Sequence, residues 1–100
     1  MKIIRIKDGR IHQTNERGIE LHRVICNNVV SAYYHSSEEI LVVTFADGKV
    51  QLTSPSGMMG RVIINSGATD ARFSGEDVVV YLKNGKAELR SNSGMVKKYL

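Results

Sequence analysis

Short runs of β-branched and other apolar residues alternate with turn-forming residues along the whole chain. Such runs include Ile3 to Ile6, Leu41 to Phe45 and Val78 to Leu82, and an Asx-Gly dipeptide follows each of them closely. Runs of this length bounded by Gly, Asn or Asp predict β-strands joined by hairpin turns. The few windows with helical periodicity are shorter than three turns and are interrupted by Gly or Asn, so the pattern predicts no helix.

The glycines mark an internal repeat. The dipeptides Asp8-Gly9, Asp47-Gly48 and Asn84-Gly85 are each followed nine residues later by another glycine, and they recur after 39 and then 37 residues. The six glycines predicted to occupy turns are Gly9, Gly18, Gly48, Gly57, Gly85 and Gly94. Each repeat therefore reads as strand, Asx-Gly turn, strand, glycine turn, strand.

A further strand lies between successive repeats. The segments 29–34 and 68–73 align at an offset of 39 residues, and the first repeat has no counterpart of this strand. Three, four and four strands result for the units 1–28, 29–66 and 67–100. We therefore predict a single all-β domain of 100 residues, built from three antiparallel repeats with eleven strands in total.

Four short antiparallel strands in about forty residues resemble the blade of a β-propeller. The stretch 71–86 carries the resemblance best, because it looks like the inner strand, turn and second strand of a blade. The chain has neither a Trp-Asp nor a Gly-His dipeptide of the WD40 type. Since fewer than four blades do not close a ring, the resemblance implies either that several chains share one ring or that this chain is a piece of something larger.

The repeats also resemble the bulb-type mannose-binding lectins, whose β-prism has three four-stranded sheets. The sugar-binding signature of that family is Gln-x-Asp-x-Asn-x-Val-x-Tyr. In the second unit this signature falls on Phe45, Asp47, Lys49, Gln51 and Thr53, so only the aspartate matches. The β-prism is therefore the alternative fold, and a divergent carbohydrate-binding module is one alternative function.

Composition excludes several classes of protein. Hydrophobic residues make up 42% of the chain and charged residues 24%, which is too apolar for disorder and too charged for a membrane span. Because Cys26 is the one cysteine, an intramolecular disulfide is excluded. Lys2 and Arg5 interrupt any signal-like apolar segment after Met1, so the expected location is the cytoplasm.

The residues that could carry chemistry are scattered. His12, His22 and His35 lie in different segments and form no metal-binding pair, and no nucleophile-elbow, P-loop or dinucleotide motif occurs. Cys26 is expected to be a small buried side chain, since no basic partner is placed beside it. We therefore expect a protein that is not an enzyme and that uses no metal and no cofactor.

Basic residues recur at equivalent positions of the repeat. Arg10, Lys49 and Lys86 form one such set, and His22, Arg61 and Lys98 form another. If these sets share a face, their summed charge would attract nucleic acid or another polyanion. The net charge of +4 is mild, however, and lysine after an Asx-Gly turn also serves solubility.

The incomplete first unit and the apolar strand edges favour assembly. An unpaired edge strand invites association, and pairing the edges of two or more chains removes that exposure. We therefore expect a homo-oligomer that binds a protein partner through its loops and strand edges. Polyanion or nucleic-acid binding is the alternative, and no membrane association is expected.

Overall fold

The computed structural model describes residues 3–7, 10–14, 20–24, 28–35, 40–54 and 59–100. Every regular element in these residues is a β-strand, which confirms the all-β prediction, and no helix there could cross a membrane. The strands are β1 (Ile3–Lys7), β2 (Arg10–Thr14), β3 (Glu20–Val24), β4 (Val29–Tyr34), β5 (Leu41–Phe45), β6 (Val50–Thr53), β7 (Met59–Ile64), β8 (Ala68–Ser74), β9 (Asp77–Leu82), β10 (Ala87–Arg90) and β11 (Val96–Tyr99).

The strands form three antiparallel sheets in which each strand pairs with its neighbour in sequence. The first sheet has the order β1-β2-β3, the second β4-β5-β6-β7 and the third β8-β9-β10-β11. Short connections favour this order, because antiparallel neighbours can be joined by tight turns. The described strands do not close into a barrel or a ring.

The turn between β5 and β6 shows how the Asx-Gly dipeptide shapes a hairpin. The backbone amide of Gly48 donates to the Phe45 carbonyl oxygen at 2.9 Å, and the backbone amide of Lys49 donates to Asp47 Oδ1 at 3.0 Å. Gly48 has φ 91°, in the left-handed region that favours glycine. This is the three-residue hairpin loop that ends in a left-handed residue.

The turn between β9 and β10 has the same hydrogen bonds. The backbone amide of Gly85 donates to Leu82, that of Lys86 donates to Asn84 Oδ1, and Gly85 has φ 85°. The pairing of β8 with β9 also resembles that of β4 with β5, since both contain a register shift after their first residue pair. The second and third sheets therefore share local backbone geometry.

The first hairpin has a different register. Lys7 pairs directly with Arg10 across β1 and β2, so that two residues separate the paired positions. In the second sheet Thr44 pairs with Val50, and five residues separate them. The first hairpin consequently places Ile6 opposite Ile11. With the register of the second hairpin, Arg5 would be opposite Ile11, so the two registers differ by one position.

The three sheets pack face to face through two apolar layers. The layer between the first and second sheets holds Ile11, Val29, Ala32, Leu41, Val43 and Phe45, with Tyr34 against them. The layer between the second and third sheets holds Val42, Val50, Ile63, Ala68, Ala71, Val78 and Val80. The second sheet is therefore the middle of the stack.

β5 shows the effect of this central position. All five of its residues are buried, including Val42 and Val43 on opposite faces. β9 in the third sheet alternates instead, with Val78 and Val80 buried and Tyr81 exposed. A strand covered on both faces reads as a continuous apolar run, whereas a strand covered on one face alternates.

Replacing Gly48 by alanine should destabilise the protein more than the same change at Gly85. Both glycines have positive φ, but an added Cβ at Gly48 would lie 2.4 Å from the backbone nitrogen of Gly67, whereas Gly85 faces open space. We expect about 1 kcal/mol for Gly85→Ala and more than about 3 kcal/mol for Gly48→Ala in urea unfolding. Equal losses for the two variants would contradict this account of the Gly48 turn.

Candidate functional site

A cleft of about 720 Å³ opens between the second and third sheets. It lies at the end of the stack where β8 joins β9 and β10 joins β11. Its apolar floor is formed by Ile40, Leu52 and Phe73, and neutral polar residues line its rim, among them Asn92 and Ser93. An apolar floor with a few convergent polar groups is the usual composition of a binding pocket.

His35 forms one wall of this cleft and is buried. Its Nε2 lies 3.0 Å from the Gly75 carbonyl oxygen and 3.5 Å from Glu76 Oε1, and its ring meets Phe73 edge-on at 4.9 Å. The carbonyl can only accept, so this contact is a hydrogen bond when Nε2 carries the proton. His35 therefore ties the end of β4 to the turn between β8 and β9.

Arg90 holds the turn that carries the cleft residues Asn92 and Ser93. Its Nη1 donates to the Gly94 carbonyl oxygen at 2.9 Å and to the Ile63 carbonyl oxygen at 3.2 Å, and its Nη2 lies 3.1 Å from Glu88 Oε1. The Glu88 and Arg90 side chains are only 11% and 17% exposed. A single guanidinium thus links β7 of the second sheet to the glycine turn of the third sheet.

Opposite charges stand at the rim of the cleft. The Glu76 side chain is 67% exposed, and Arg61 is exposed on the other sheet. Among the described residues no ion pair engages Arg61. The cleft can therefore accept an apolar group on its floor while offering both a cation and an anion at its edge.

A second set of polar contacts joins β4 to β8. Ser31 Oγ donates to Asp70 Oδ1 at 2.7 Å, and the Arg72 guanidinium lies 4.9 Å above the Tyr33 ring. The Tyr33 phenol, followed by the Asp70 carboxylate, raises the pKa of Arg72 above its ordinary value. These contacts connect β4 to β8 across the layer between their sheets.

The described basic residues singled out in the sequence fall in four places. Lys49 and Lys86 lie at one end of neighbouring sheets, because the Gly48 carbonyl oxygen and the Lys83 amide bond to Ala68 and Gly67 respectively.

Arg10 begins β2 of the first sheet, Arg61 lines the cleft, and Lys98 pairs with Leu89 in β11. The side chain of His22 lies outside the described part of the structure. The structure thus puts Lys49 and Lys86 at the same end of the stack and places Arg61 and Lys98 elsewhere.

Three of the six glycines predicted to occupy turns lie in the described part of the structure. Gly48, Gly85 and Gly94 have φ between 85° and 94°, whereas Gly9, Gly18 and Gly57 lie outside the described residues. Asp47, the one matching residue of the sugar-binding signature, accepts the Lys49 amide within its own turn. Cys26 also lies outside the described residues, and those that are described contain no group of three His, Cys, Asp or Glu that could hold a metal.

The sequence did not reveal the Glu88–Arg90 pair. Along the sequence, Glu88 is a single polar residue between Ala87 and Leu89, and Arg90 begins the polar segment 90–93. The available signal was their spacing, because residues two apart in a strand share a face. Two opposite charges on one face of a strand indicate an internal pair when that face is covered.

Arg90→Met should unfold more easily than the wild-type protein. The change removes two cross-linking hydrogen bonds and leaves the Glu88 carboxylate buried without its cation. We expect a loss of about 2–4 kcal/mol in urea unfolding. The double variant Glu88→Gln, Arg90→Met should recover at least about 1 kcal/mol of that loss, and a single variant as stable as the wild type would contradict the linkage.

Scans of this sequence against protein-family models and against curated proteins found no match.

Proposed function

We propose that this chain is a non-catalytic protein-binding module whose binding site is the cleft between the second and third sheets. The observation that carries the proposal is the cleft itself, with its apolar floor, neutral polar rim and two opposite charges. Loops and strand ends on a rigid β scaffold commonly carry binding functions. His35 lines the cleft, and Arg90 holds the turn that carries the lining residues Asn92 and Ser93.

The proposal includes a propeller-like arrangement of the sheets. Each four-stranded sheet is an antiparallel meander, and the second and third sheets stack face to face, as neighbouring blades do. Their hairpin turns share the same hydrogen bonds, with Gly48 and Gly85 in corresponding positions. In this interpretation the cleft is the gap between two successive blades.

The chemistry of the cleft favours a protein segment as its occupant. Leu52 and Phe73 offer contact area to one apolar side chain, and Asn92 and Ser93 lie where backbone amides and carbonyls of a peptide could bond. Glu76 and Arg61 can pair with a charge of either sign beside that anchor. We therefore propose a short segment with one buried apolar side chain and flanking charged residues.

A random heptapeptide library displayed on phage and selected on the immobilised chain tests this site. We expect enriched peptides with a common apolar residue, bound with a dissociation constant below about 100 μM. Asn92→Arg places a long side chain at the cleft and should weaken the binding of the synthesised peptides at least tenfold.

Asn65→Arg is the matched control. It makes the same change at another exposed turn residue, between β7 and β8 at the other end of the stack. Binding that is weakened by Asn92→Arg and kept by Asn65→Arg supports the cleft. The proposal is wrong if no peptide is enriched, or if Asn92→Arg binds the peptides as well as the wild type does.

A second candidate function is polyanion binding at the end of the stack that carries the hairpin turns. The observation that favours it is that the turns carrying Lys49 and Lys86 lie at this same end, with exposed Lys83 beside a shallow depression. Lys49 Nζ lies 4.8 Å above the Phe45 ring, which orients that cation. The sequence indicates Lys83 as a further basic residue at this end, because it directly precedes the Asn84-Gly85 turn.

A fluorescent oligothymidylate tests the second candidate. We expect binding that falls linearly with the logarithm of salt concentration, with a slope of about −0.7 per neutralised phosphate. Lys49→Glu combined with Lys86→Glu should abolish it. Lys97→Glu combined with Lys98→Glu makes the same change in net charge on β11 and should preserve most binding. Equal losses in the two double variants would mean that net charge alone, and not this end of the stack, attracts the strand.

A further inference from the structure

A bulge in the second sheet brings Arg61 to the floor of the cleft. Between their paired positions, β6 contributes one residue, Leu52, whereas β7 contributes two, Gly60 and Arg61. Two residues opposite one form a β-bulge, which bends the strand and redirects a side chain. Leu52 packs in the layer towards the third sheet, and both Leu52 and Arg61 line the cleft. The bulge therefore sets a cation beside an apolar part of the floor.

The backbone of this bulge is held in place. Gln51 is buried, and its side-chain nitrogen Nε2 donates to the Gly60 carbonyl oxygen at 3.0 Å. An added Cβ at Gly60 would lie 2.9 Å from the Leu52 carbonyl oxygen, so β6 and β7 approach each other closely at this point. The exposed side chain of Arg61 therefore starts from a fixed position of the backbone.

The same irregularity recurs in the third sheet at a different place in the stack. Lys97 is the extra residue between the paired positions of β11, and Lys98 pairs with Leu89. At an offset of 37 residues, Lys98 corresponds to Arg61. Among the described residues that line the cleft, Arg61 is present and Lys98 is not. Two basic residues thus occupy equivalent bulges, and one of them borders the cleft.

The charge of Arg61 is not neutralised within the described part of the chain. No carboxylate there pairs with its guanidinium, whereas Glu88 pairs with Arg90. Glu76, the anion of the rim, lies 3.5 Å from His35 Nε2 and so already faces a polar group of the protein. The net charge of +4 adds a general attraction for anions. An occupant that complements the cleft therefore brings a negative charge to Arg61.

We propose that Arg61 selects acidic segments, because the protein segment that fills the cleft carries an Asp or Glu side chain that pairs with the Arg61 guanidinium. This inference rests on the proposed function and adds to it the sign of the charge and its place in the segment. A guanidinium can donate two parallel N–H bonds to one carboxylate, and such pairs are stronger and more directional than neutral hydrogen bonds.

The bulge also sets the position of the acid in the bound segment. Side chains opposite each other on paired strands have Cβ atoms about 5 Å apart, and Arg61 lies across the bulge from Leu52. An extended chain rises about 3.3 Å per residue, so an acid that reaches Arg61 stands within two positions of an apolar side chain that covers Leu52. The expected motif is one apolar residue with Asp or Glu one or two positions away.

Selecting the heptapeptide library separately on the wild type and on Arg61→Glu tests this motif. Displayed heptapeptides are joined to the coat protein through their C-terminus, so acidic side chains must supply the carboxylate. We expect the wild type to enrich Asp or Glu within two positions of the common apolar residue, and Arg61→Glu to enrich Lys or Arg there instead.

Binding of one synthesised acidic peptide with an amidated C-terminus gives the size of the effect. This peptide should bind Arg61→Glu at least about tenfold more weakly than the wild type. Replacing its acid by lysine should reverse the order of the two proteins. Arg61→Gln removes the charge without reversing it, and it should also weaken the acidic peptide if Arg61→Glu does not fold.

Lys98→Glu is the matched control, because it makes the same change in net charge at the corresponding bulge of the third sheet. The inference is supported if Lys98→Glu binds the acidic peptide like the wild type while Arg61→Glu does not. Enriched peptides without an acidic preference, or equal losses in the two variants, would overturn the role of Arg61 and leave the cleft as the binding site. A library with no enriched peptide would overturn this inference together with the proposed function.

Discussion

Burial of the second sheet on both faces is the constraint on which the rest of this structure depends. β5 has no solvent-facing side, so the first and third sheets must lie against it from opposite directions. Burial of apolar area is the main favourable term in folding, and two layers share it here. The cleft and the shared end of the hairpin turns both follow from stacking three sheets around this one strand.

Directional contacts fix the sheets against one another. Apolar layers resist separation but only weakly resist sliding, since their attraction is not directional. Ser31 with Asp70, and Arg90 with the Ile63 carbonyl oxygen, are hydrogen bonds that cross between the second and third sheets. The first joins β4 to β8 and the second joins β7 to β10. The position of the second sheet against the third therefore depends on a few polar atoms.

The sequence predicted the strands well because their signals are local. Asx-Gly dipeptides and β-branched runs specify a hairpin within about ten residues, and the grouping into three, four and four strands agrees with the sheets. The stacking was not predicted, because the continuous apolar run of β5 does not show which face meets which sheet. The cleft was missed for the same reason, since Leu52, Phe73 and Asn92 meet only across two sheets. Lys49 and Lys86 were identified from their equivalent positions in the repeat, and each follows a turn of the same type. Equivalent positions do not show that Arg61 and Lys98 have different surroundings in the fold.

The short turn of the first hairpin has a consequence for how β1 pairs with β2. With two residues between Lys7 and Arg10, Ile6 stands opposite Ile11, whereas five residues separate Thr44 from Val50. A strand shifted by a single position exchanges the residues on its two faces. The register of the first hairpin thus decides which residue of β1 stands opposite the buried Ile11. If residues 7–9 formed a three-residue turn like that of the second hairpin, Arg5 would stand opposite Ile11, so the tighter turn is what pairs two apolar residues across β1 and β2.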